Sequence, residues 1–491
     1  MNFILLIFPV LFPAAASVPL AVIPGLRKRM PRRIYVTAVL AAVLAAAVLS
    51  AVSPPAEVTL LRLSDALVFS LRSDGPAGFF CILASVMFFL AGIYAFEYME
   101  HEKNPDRFFA FYLLVLGMLN GLGLSANLLT LYLFYELLTL AAMPLVLHSM
   151  TKEAISASFK FMFYSFAGAA LGLLGLFYVY QNSGTLDFVP GGVLGSSFAS
   201  GARTEMQIAS LLVIIGFSGK AGLFPLHAWL PSAHPQAPSP ASAVLSGVIT
   251  KAGVLAVFRF VFYSIGADFI RGTWVQTVWT ALTLITILMG SVLAFKEPML
   301  KKRMAYSSIS QVSYVLFGLS VLSSGGMLGS MLHTVFHSIG KDLLFMIAGI
   351  IILQTGRTKV SELKGLGKEM PVTFWCFAIA GAAMTGIPPS GGFVSKWYLA
   401  SGALSADIGI FRWLGPAVLL ISALLTAGYL LAPAADAFFP GTGFVLTEKK
   451  NREPSGLMLI PVLLLTAACI LTGIFPGILI RFFESFIKIL V

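Results

Sequence analysis

Five charged side chains lie inside apolar stretches long enough to cross a bilayer. Lys220, Lys251, Lys341 and Lys396 each have apolar residues for two helical turns or more on at least one side, and Glu136 lies near the middle of NLLTLYLFYELLTLAAMPLVLHS. A lysine near the bilayer centre costs about 2.5 to 3.5 kcal/mol on insertion scales, so such residues usually face a protein interior and mark ion pathways. The pattern predicts a pathway for protons. The alternative is that Glu136 only neutralises one lysine and holds two helices together.

A Glu–Lys pair in the membrane interior has the physical properties of a proton switch. At about 4 Å and an effective dielectric constant of 20, the two charges attract each other by roughly 4 kcal/mol. That energy changes the protonation equilibrium of a lysine about a thousandfold. Forming and breaking the pair would therefore move a proton, if a conformational change drove it.

Histidines extend this set of titratable groups. His227 and His234 lie in FPLHAWLPSAH, and His333 and His337 lie in HTVFHSIGKDLLF. Spacings of four residues place His333, His337 and Lys341 on one helix face, along which a proton could pass. A packed polar face is the alternative. A metal site at His333 and His337 is not expected, since the one nearby acid, Asp342, lies off that face.

The elements that must position these groups are membrane-spanning helices. The chain has 491 residues, of which 58% are hydrophobic and 11% charged, whereas an ordinary soluble domain has about 25% charged residues. Apolar stretches of about 20 residues, the length that crosses a bilayer, recur from end to end. We therefore exclude a soluble protein and predict an all-α integral membrane domain over 1–491 with about fourteen transmembrane helices. The predicted spans are 3–24, 33–52, 76–98, 108–125, 127–148, 155–180, 205–229, 238–262, 273–295, 302–323, 326–354, 371–403, 413–435 and 456–480.

The distribution of basic residues predicts the orientation. Nineteen of the 32 Lys and Arg residues, among them Lys301, Lys449 and Lys450, fall in loops after odd-numbered helices, and seven fall in the opposite loops and the tail. Positive loops face the cytoplasm, so both termini are expected on the other side, most simply of a cell inner membrane. Attraction to anionic lipid explains the net charge of +11 without nucleic acid. Of the remaining six, Lys160 and Arg259 lie close enough to helix ends to reach head groups.

The cysteines offer no redox centre. Cys81, Cys376 and Cys469 lie far apart in apolar runs, without the paired spacing that holds zinc or an iron–sulfur cluster. We expect no cofactor and no metal in this chain.

Two segments are predicted to be broken helices. GFSGKAGLFPLHAWLP contains Lys220 and MTGIPPSGGFVSKWYL contains Lys396, each beside Gly and Pro residues that interrupt a helix. Such breaks at corresponding places of two halves are typical of inverted-repeat transporters. The separation of 176 residues fits two five-helix repeats at 105–265 and 270–435.

Several motifs together resemble one family. They are FYELLTLAAMPLVLHS, SGKAGLFPLHAWLPSAHPQAPSPASAVLSGVITKAG, KRMAYSSISQVSY, HTVFHSIGKDLLF and GIPPSGGFVSKWYL. Over about 105–435 the chain is similar to the antiporter-like proton-pumping subunits of complex I, of membrane-bound hydrogenases and of Mrp-type sodium/proton antiporters, where they are the A-type and D-type subunits. The resemblance implies two inverted five-helix repeats and a proton relay across the membrane domain.

The resemblance also implies roles for individual residues. Glu136 takes the place of the family's essential glutamate and Lys220 that of the lysine in the first broken helix. The central lysine, the histidine–lysine helix and the second broken helix are matched by Lys251, by His337 with Lys341, and by Lys396. Ser232 and Pro235-Gln236 depart from the family's acidic residues, so roles that depend on those acids are not carried over.

Three functions compete. The first is a proton-translocating subunit of a redox-driven complex of the complex I or hydrogenase type, with the redox chemistry in partner chains and homologous subunits as neighbours. The second is the D-type subunit of an Mrp-type sodium/proton antiporter. A sodium site needs several oxygen ligands and carboxylate charge, and the few buried acids favour protons. The third, a stand-alone solute transporter, needs a compact polar cavity, whereas these charges are strung across many helices.

Overall fold

Helices form most of the chain. The computed structural model describes residues 2–65, 67–194, 200–441 and 452–490, so that Lys449 and Lys450 lie outside the described residues. The first ten α-helices are α1 (Asn2–Val22), α2 (Arg29–Val52), α3 (Gly75–Tyr98), α4 (Pro105–Gly123), α5 (Leu128–Val146), α6 (Lys152–Ser183), α7 (Ser200–Ala221), α8 (Leu230–Gln236), α9 (Ser239–Val244) and α10 (Thr250–Arg259). The others are α11 (Ala267–Ile270), α12 (Trp274–Lys296), α13 (Leu300–Ser320), α14 (Ser324–Thr355), α15 (Pro371–Thr385), α16 (Gly391–Ser405), α17 (Phe411–Phe438), α18 (Gly456–Ile474) and α19 (Gly477–Ile487).

A short β-hairpin lies in one of the two longest predicted loops, between α2 and α3. Its strands are β1 (Glu57–Arg62) and β2 (Val68–Arg72), paired antiparallel with one irregularity in the register. The side chain of Asn127 donates to the carbonyl of Val68 at 2.8 Å. Because Asn127 also caps α5, the hairpin is tied to the start of the helix that carries Glu136.

The helices account for all the predicted spans. Within the described ranges, ten segments are long and apolar enough to cross a membrane. The other four predicted spans correspond to α4, α7, α13 and the pair α15 and α16, which are more polar or shorter. The prediction of an all-α fold with about fourteen spans is confirmed.

Side chains set several of the helix ends. Asp74, Asn127, Thr151 and Ser323 each accept a hydrogen bond from a backbone N–H in the first turn of α3, α5, α6 and α14. These are the residue types that satisfy the free N–H groups of a helix start. The sequence therefore determines where the helices that bear Glu136 and His337 begin.

The most buried spans lie at the centre of the helical bundle. The continuous segment Ser239–Ile265 contains α9, α10 and two π-helical stretches, Leu245–Ile249 and Phe260–Ile265. In this segment and in α14, 100% and 94% of the most apolar 18-residue window is buried, against 33% for α1 and α18. Lys251 and His337 lie on these two central spans, away from lipid.

Both predicted helix breaks are present. After α7 the chain turns at Gly222 (φ 89°) and continues without regular helix to α8, and after α15 it turns at Gly386 (φ 94°) before α16 begins at Gly391. Positive φ angles favour glycine because it has no Cβ. Each break lies within one or two helical turns of a lysine, Lys220 or Lys396.

The order of elements is similar in the two halves. The first half contains α4, α5, the 32-residue α6, the broken α7 and α8, and Ser239–Ile265; the second contains α12, α13, the 32-residue α14, the broken α15 and α16, and α17. This correspondence supports the repeats at 105–265 and 270–435, whose bounds and inversion stay a prediction.

Candidate functional site: a buried row of lysine and histidine side chains

Lys220 ends α7 facing the middle of α5. Its ammonium donates to the carbonyl of Tyr135 at 2.9 Å and to the hydroxyl of Thr139 at 2.7 Å, and it lies 3.9 Å from the centre of the Tyr135 ring. The side chain is 1% exposed. Each of these contacts joins the cation to a neutral oxygen or an aromatic ring.

Glu136 follows Tyr135 on α5 but does not pair directly with Lys220. Tyr132 donates to Oε1 at 3.3 Å, and Oε2 has no hydrogen-bond partner among the described residues. The two charges nevertheless act on each other electrostatically. The structure therefore holds these two groups in a separated arrangement.

Lys251 and His337 are in direct contact at the centre of the bundle. Nζ of Lys251 lies 2.6 Å from Nδ1 of His337 and donates to the carbonyl of Ser246 at 2.6 Å. Both side chains are buried. A proton can pass between the amine and the ring in one step, because hydrogen-bond distance is the geometric requirement for transfer.

Lys341 turns away from the histidines of its own helix. Its ammonium donates to the carbonyl of Met304 at 3.2 Å and to the hydroxyl of Ser307, both on α13. The next residue, Ser308, shares a hydrogen bond of 2.6 Å with Ser246. Direct contacts therefore run between helices, and the predicted passage along one face of α14 from His337 to Lys341 has no direct contact.

His333 connects α14 with the second broken helix. Its Nδ1 lies 2.9 Å from the hydroxyl of Ser395, its Nε2 lies 3.1 Å from Oε1 of Gln311, and its ring stacks on Tyr314. The ring of His337 is 6.1 Å away, one helical turn further along. The four-residue spacing thus brings the two histidines together as predicted.

Lys396 binds the carbonyls that the second break sets free. Its ammonium donates to Met384 at 2.7 Å and to Thr385 at 2.9 Å, and lies 5.1 Å from the centre of the Tyr314 ring. Carbonyls at the end of α15 lack helical partners. A cation is stabilised by this negative end of a helix, so the break provides a site for the charge.

The other two predicted histidines differ in burial. His234 is 0% exposed and stacks on Phe345 at 4.6 Å, with neither ring nitrogen bonded to a described residue. His227 is half-buried in the first break, 5.7 Å from the ring of Phe224. Neither contacts Lys220 or Lys251 by a hydrogen bond in this structure.

The expectation for Arg259 is wrong, whereas Lys160 lies at the surface. Arg259 is 1% exposed and makes two hydrogen bonds, of 2.7 and 2.6 Å, to the carboxylate of Asp74. Its guanidinium is held by the N-cap of α3 and does not extend outward to the head groups. Lys160 is exposed and donates to Ser232 at 3.0 Å.

Sequence reasoning missed two site residues and considered a third, Asp342, only as a metal ligand. Thr139 and Gln311 supply neutral oxygens to Lys220 and His333, and Asp342 is a fully buried carboxylate beside Lys341. Thr139 lies three residues from Glu136, so helical spacing was the signal that could have found it. Gln311 is remote in sequence and only the packing of α13 against α14 reveals it.

The arrangement suits protons better than a bound metal. Among the described residues no group of three or more His, Cys, Asp or Glu side chains is placed to hold a metal ion. The Nδ1 atom of His337 faces the ammonium of Lys251, which would repel a cation. The buried groups instead form short hydrogen-bonded steps between neutral oxygens, imidazoles and amines.

Known proteins are similar to this chain in sequence and in architecture. The family model described as "NADH:quinone oxidoreductase/Mrp antiporter, TM" matches residues 125–425. NADH-quinone oxidoreductase subunit N of Desulforudis audaxviator is 32% identical over 415 residues, which cover 82% of this chain and 81% of the relative. The D-type subunit of the Na(+)/H(+) antiporter of Bacillus subtilis is 29% identical over 389 residues, which cover 79% and 77% of the two chains.

A solved structure shows the same fold. One chain of the membrane-bound sulfane sulfur reductase, an archaeal respiratory membrane complex, superposes with a TM-score of 0.85 at 23% identity, covering 99% of each chain. The fold is therefore that of subunits found in multisubunit membrane complexes. With the family model matched over more than half of its length, the chain belongs to the NADH:quinone oxidoreductase/Mrp antiporter family of transmembrane subunits.

Proposed function

We propose that the chain is a proton-translocating subunit of a redox-driven multisubunit membrane complex. The observation that carries this proposal is the direct contact of Lys251 with His337, 2.6 Å apart and buried on the two central spans. A buried amine touching a buried imidazole gives little stability in a low-dielectric interior, because each disfavours a charge on the other. The Lys251–His337 pair is instead well suited to passing one proton between its two nitrogen atoms.

The separated Glu136 and Lys220 give the first half of the relay its switch. With Lys220 held by Tyr135 and Thr139, the carboxylate can take a proton; when Lys220 swings to Glu136, their attraction holds the charge on the lysine. The helix that carries Lys220 packs closely on the central span Ser239–Ile265, since a Cβ at Gly253 would lie 3.2 Å from Cβ of Lys220. Lys251 lies two residues before Gly253 in that span, so the helix of Lys220 packs directly on the span that carries Lys251.

The second half of the relay ends at the broken helix. His333 is one turn from His337, and Tyr314 lies between the ring of His333 and the ammonium of Lys396. Gln311 and Ser395 hold both nitrogens of His333, so that a proton arriving at one ring nitrogen can leave from the other. We infer the order Glu136, Lys220, Lys251 with His337, His333 and Lys396; His227, His234 and Lys341 flank it.

The second candidate function is that of the D-type subunit of an Mrp-type antiporter, which the likeness to the Bacillus subtilis antiporter favours. Sodium needs several oxygen ligands with carboxylate charge. The carboxylates of the row, Glu136 and Asp342, lie on different helices and share no ligand residue among those described. We therefore assign protons to this chain and any sodium site to a neighbour.

We infer that the neighbours are homologous membrane subunits and that the complex lies in the plasma membrane with both termini outside the cytoplasm. Large apolar side chains are exposed on α6, α17 and α18, for example Phe163, Leu424 and Leu464, as lipid-facing or subunit-facing surfaces are. A reporter protein that is active only in the cytoplasm, fused to the C-terminus, should be inactive. An active reporter would show that the C-terminus faces the cytoplasm and would contradict the proposed orientation.

The test of function uses inverted vesicles that contain the assembled complex. Lys251→Met should abolish proton uptake driven by the redox reaction of the complex, and the exposed-site control Lys160→Met should retain it. Uptake should persist without sodium ions. Normal uptake by Lys251→Met would contradict the relay, and uptake that requires sodium would favour the antiporter.

A further inference from the structure

A carboxylate outside the proposed relay lies at the centre of the protein. Asp342 on α14 is 0% exposed, and neither of its oxygens accepts a hydrogen bond from a described residue. An isolated ionised carboxylate in such an interior costs far more than a hydrogen-bonded one, so it contributes nothing to stability by itself. Intramembrane acids of this kind mark functional positions.

The backbone of the neighbouring span makes room for this carboxylate. Gly247 lies in the π-helical stretch Leu245–Ile249, and a Cβ at this position would collide with Oδ1 of Asp342. The hydroxyl of Ser338, one turn before Asp342, donates to the carbonyl of Gly247 at 2.5 Å. The contact between the two spans is thus fixed, and only a glycine at position 247 leaves room for the carboxylate oxygen.

The carboxylate of Asp342 packs against the side of the central span that carries Lys251. Lys251 is four residues after Gly247 in the same span, and it is the cation whose charge acts on Asp342. The adjacent residue Lys341 is bound by Met304 and Ser307 of α13, and the hydroxyl of Tyr112 on α4 is occupied by the carbonyl of Phe88 at 2.8 Å. Among these neighbours, Lys251 is therefore the facing group with a proton to exchange.

We propose that Asp342 is a further proton-binding residue, the carboxyl partner of Lys251. An N–H bond of the Lys251 ammonium breaks and an O–H bond forms on Asp342 through one bridging water, which gives up one proton as it accepts another. The neutral amine then takes a proton from His337 when that ring is an imidazolium: its Nδ1–H bond breaks, an N–H bond forms on Lys251, and the imidazole is left neutral. This inference rests on the proposed function. In it the central lysine, Lys251, has Asp342 as its carboxylate partner, just as Lys220 has Glu136.

The proposal is tested with Asp342→Asn, which keeps the shape but cannot bind the proton, and Asp342→Glu, which keeps the carboxyl. Asp407→Asn, at an exposed position, is the matched control. In inverted vesicles with normally assembled complex, Asp342→Asn should lower proton uptake at least about tenfold, whereas Asp342→Glu should retain part of it and the control all of it. Uptake by Asp342→Asn at the wild-type rate overturns the proposal.

Infrared difference spectra of the working complex separate this proposal from the proposed function. A protonated-carboxyl band that shifts in deuterated water should appear in the wild type and move in Asp342→Glu. This readout does not require assembly of Asp342→Asn. Absence of a band that moves in Asp342→Glu overturns the role of Asp342, even if the wild type pumps. Failure of wild-type vesicles to take up protons would instead refute the proposed function.

Discussion

Thr139→Val tests whether the separated position of Lys220 matters for proton transfer. Valine has the shape of threonine but no hydroxyl, so Lys220 loses the 2.7 Å hydrogen bond and keeps the one to Tyr135. A hydrogen bond to a charged group contributes about 1.5 to 3 kcal/mol, and each 1.4 kcal/mol is about tenfold in an equilibrium. The equilibrium between Lys220 bound to Tyr135 and Thr139 and Lys220 paired with Glu136 should therefore shift about 10- to 150-fold toward the pair.

Proton uptake should slow by a similar factor, because Lys220 must leave Glu136 in every cycle. The assay is the initial rate of uptake in inverted vesicles, normalised to the amount of assembled complex. Thr139→Ser keeps the hydroxyl and should stay near the wild-type rate. Thr472→Val on α18, where the hydroxyl bonds its own helix at 2.6 Å, is the control. Uptake by Thr139→Val within about twofold of the control would refute this reasoning.

Three further predictions concern stability in detergent. Gly247→Ala should lower the free energy of unfolding by about 1 to 3 kcal/mol through overpacking, whereas Gly477→Ala, with open space around it, should change little; equal effects would contradict the close contact. Arg259→Met should cost about 1.5 to 3 kcal/mol because the partly exposed Asp74 loses hydrogen bonds to a charged group and keeps only Arg72 at 3.8 Å, while the exposed Arg412→Met should be nearly neutral in the same unfolding assay. Burial and then Arg107 hold the pKa of His148 down to about 4, so unfolding measured against pH should show stability falling from about pH 6.5 to pH 4, and His148→Gln should remove that part of the slope.

The spans and the breaks were predictable because local chemistry determines them. Length and apolar composition decide whether a helix can cross a membrane. Gly222 and Gly386 adopt positive φ angles that end the preceding helices, whatever the chain packs against afterwards. The four-residue spacing of His333 and His337 likewise follows from helix geometry. These features depend on residues close together in sequence.

The partners of the buried groups were not predictable because tertiary packing selects them. Lys220 is bound by Thr139 and a carbonyl rather than by Glu136, and Lys341 is bound by α13 rather than by its own histidine face. Arg259 is at the end of a helix, where exposure is common, yet Asp74 from 185 residues away pairs with it. A single sequence shows no distance between such residues.

The relay itself is tested most directly by proton uptake in vesicles that contain the intact complex, comparing wild type with Glu136→Gln and Lys220→Met at normal assembly. The account predicts that both variants lose proton uptake while the complex remains assembled. Uptake at the wild-type rate in both would reduce Glu136 and Lys220 to structural contacts between α5 and α7 and would contradict the mechanism.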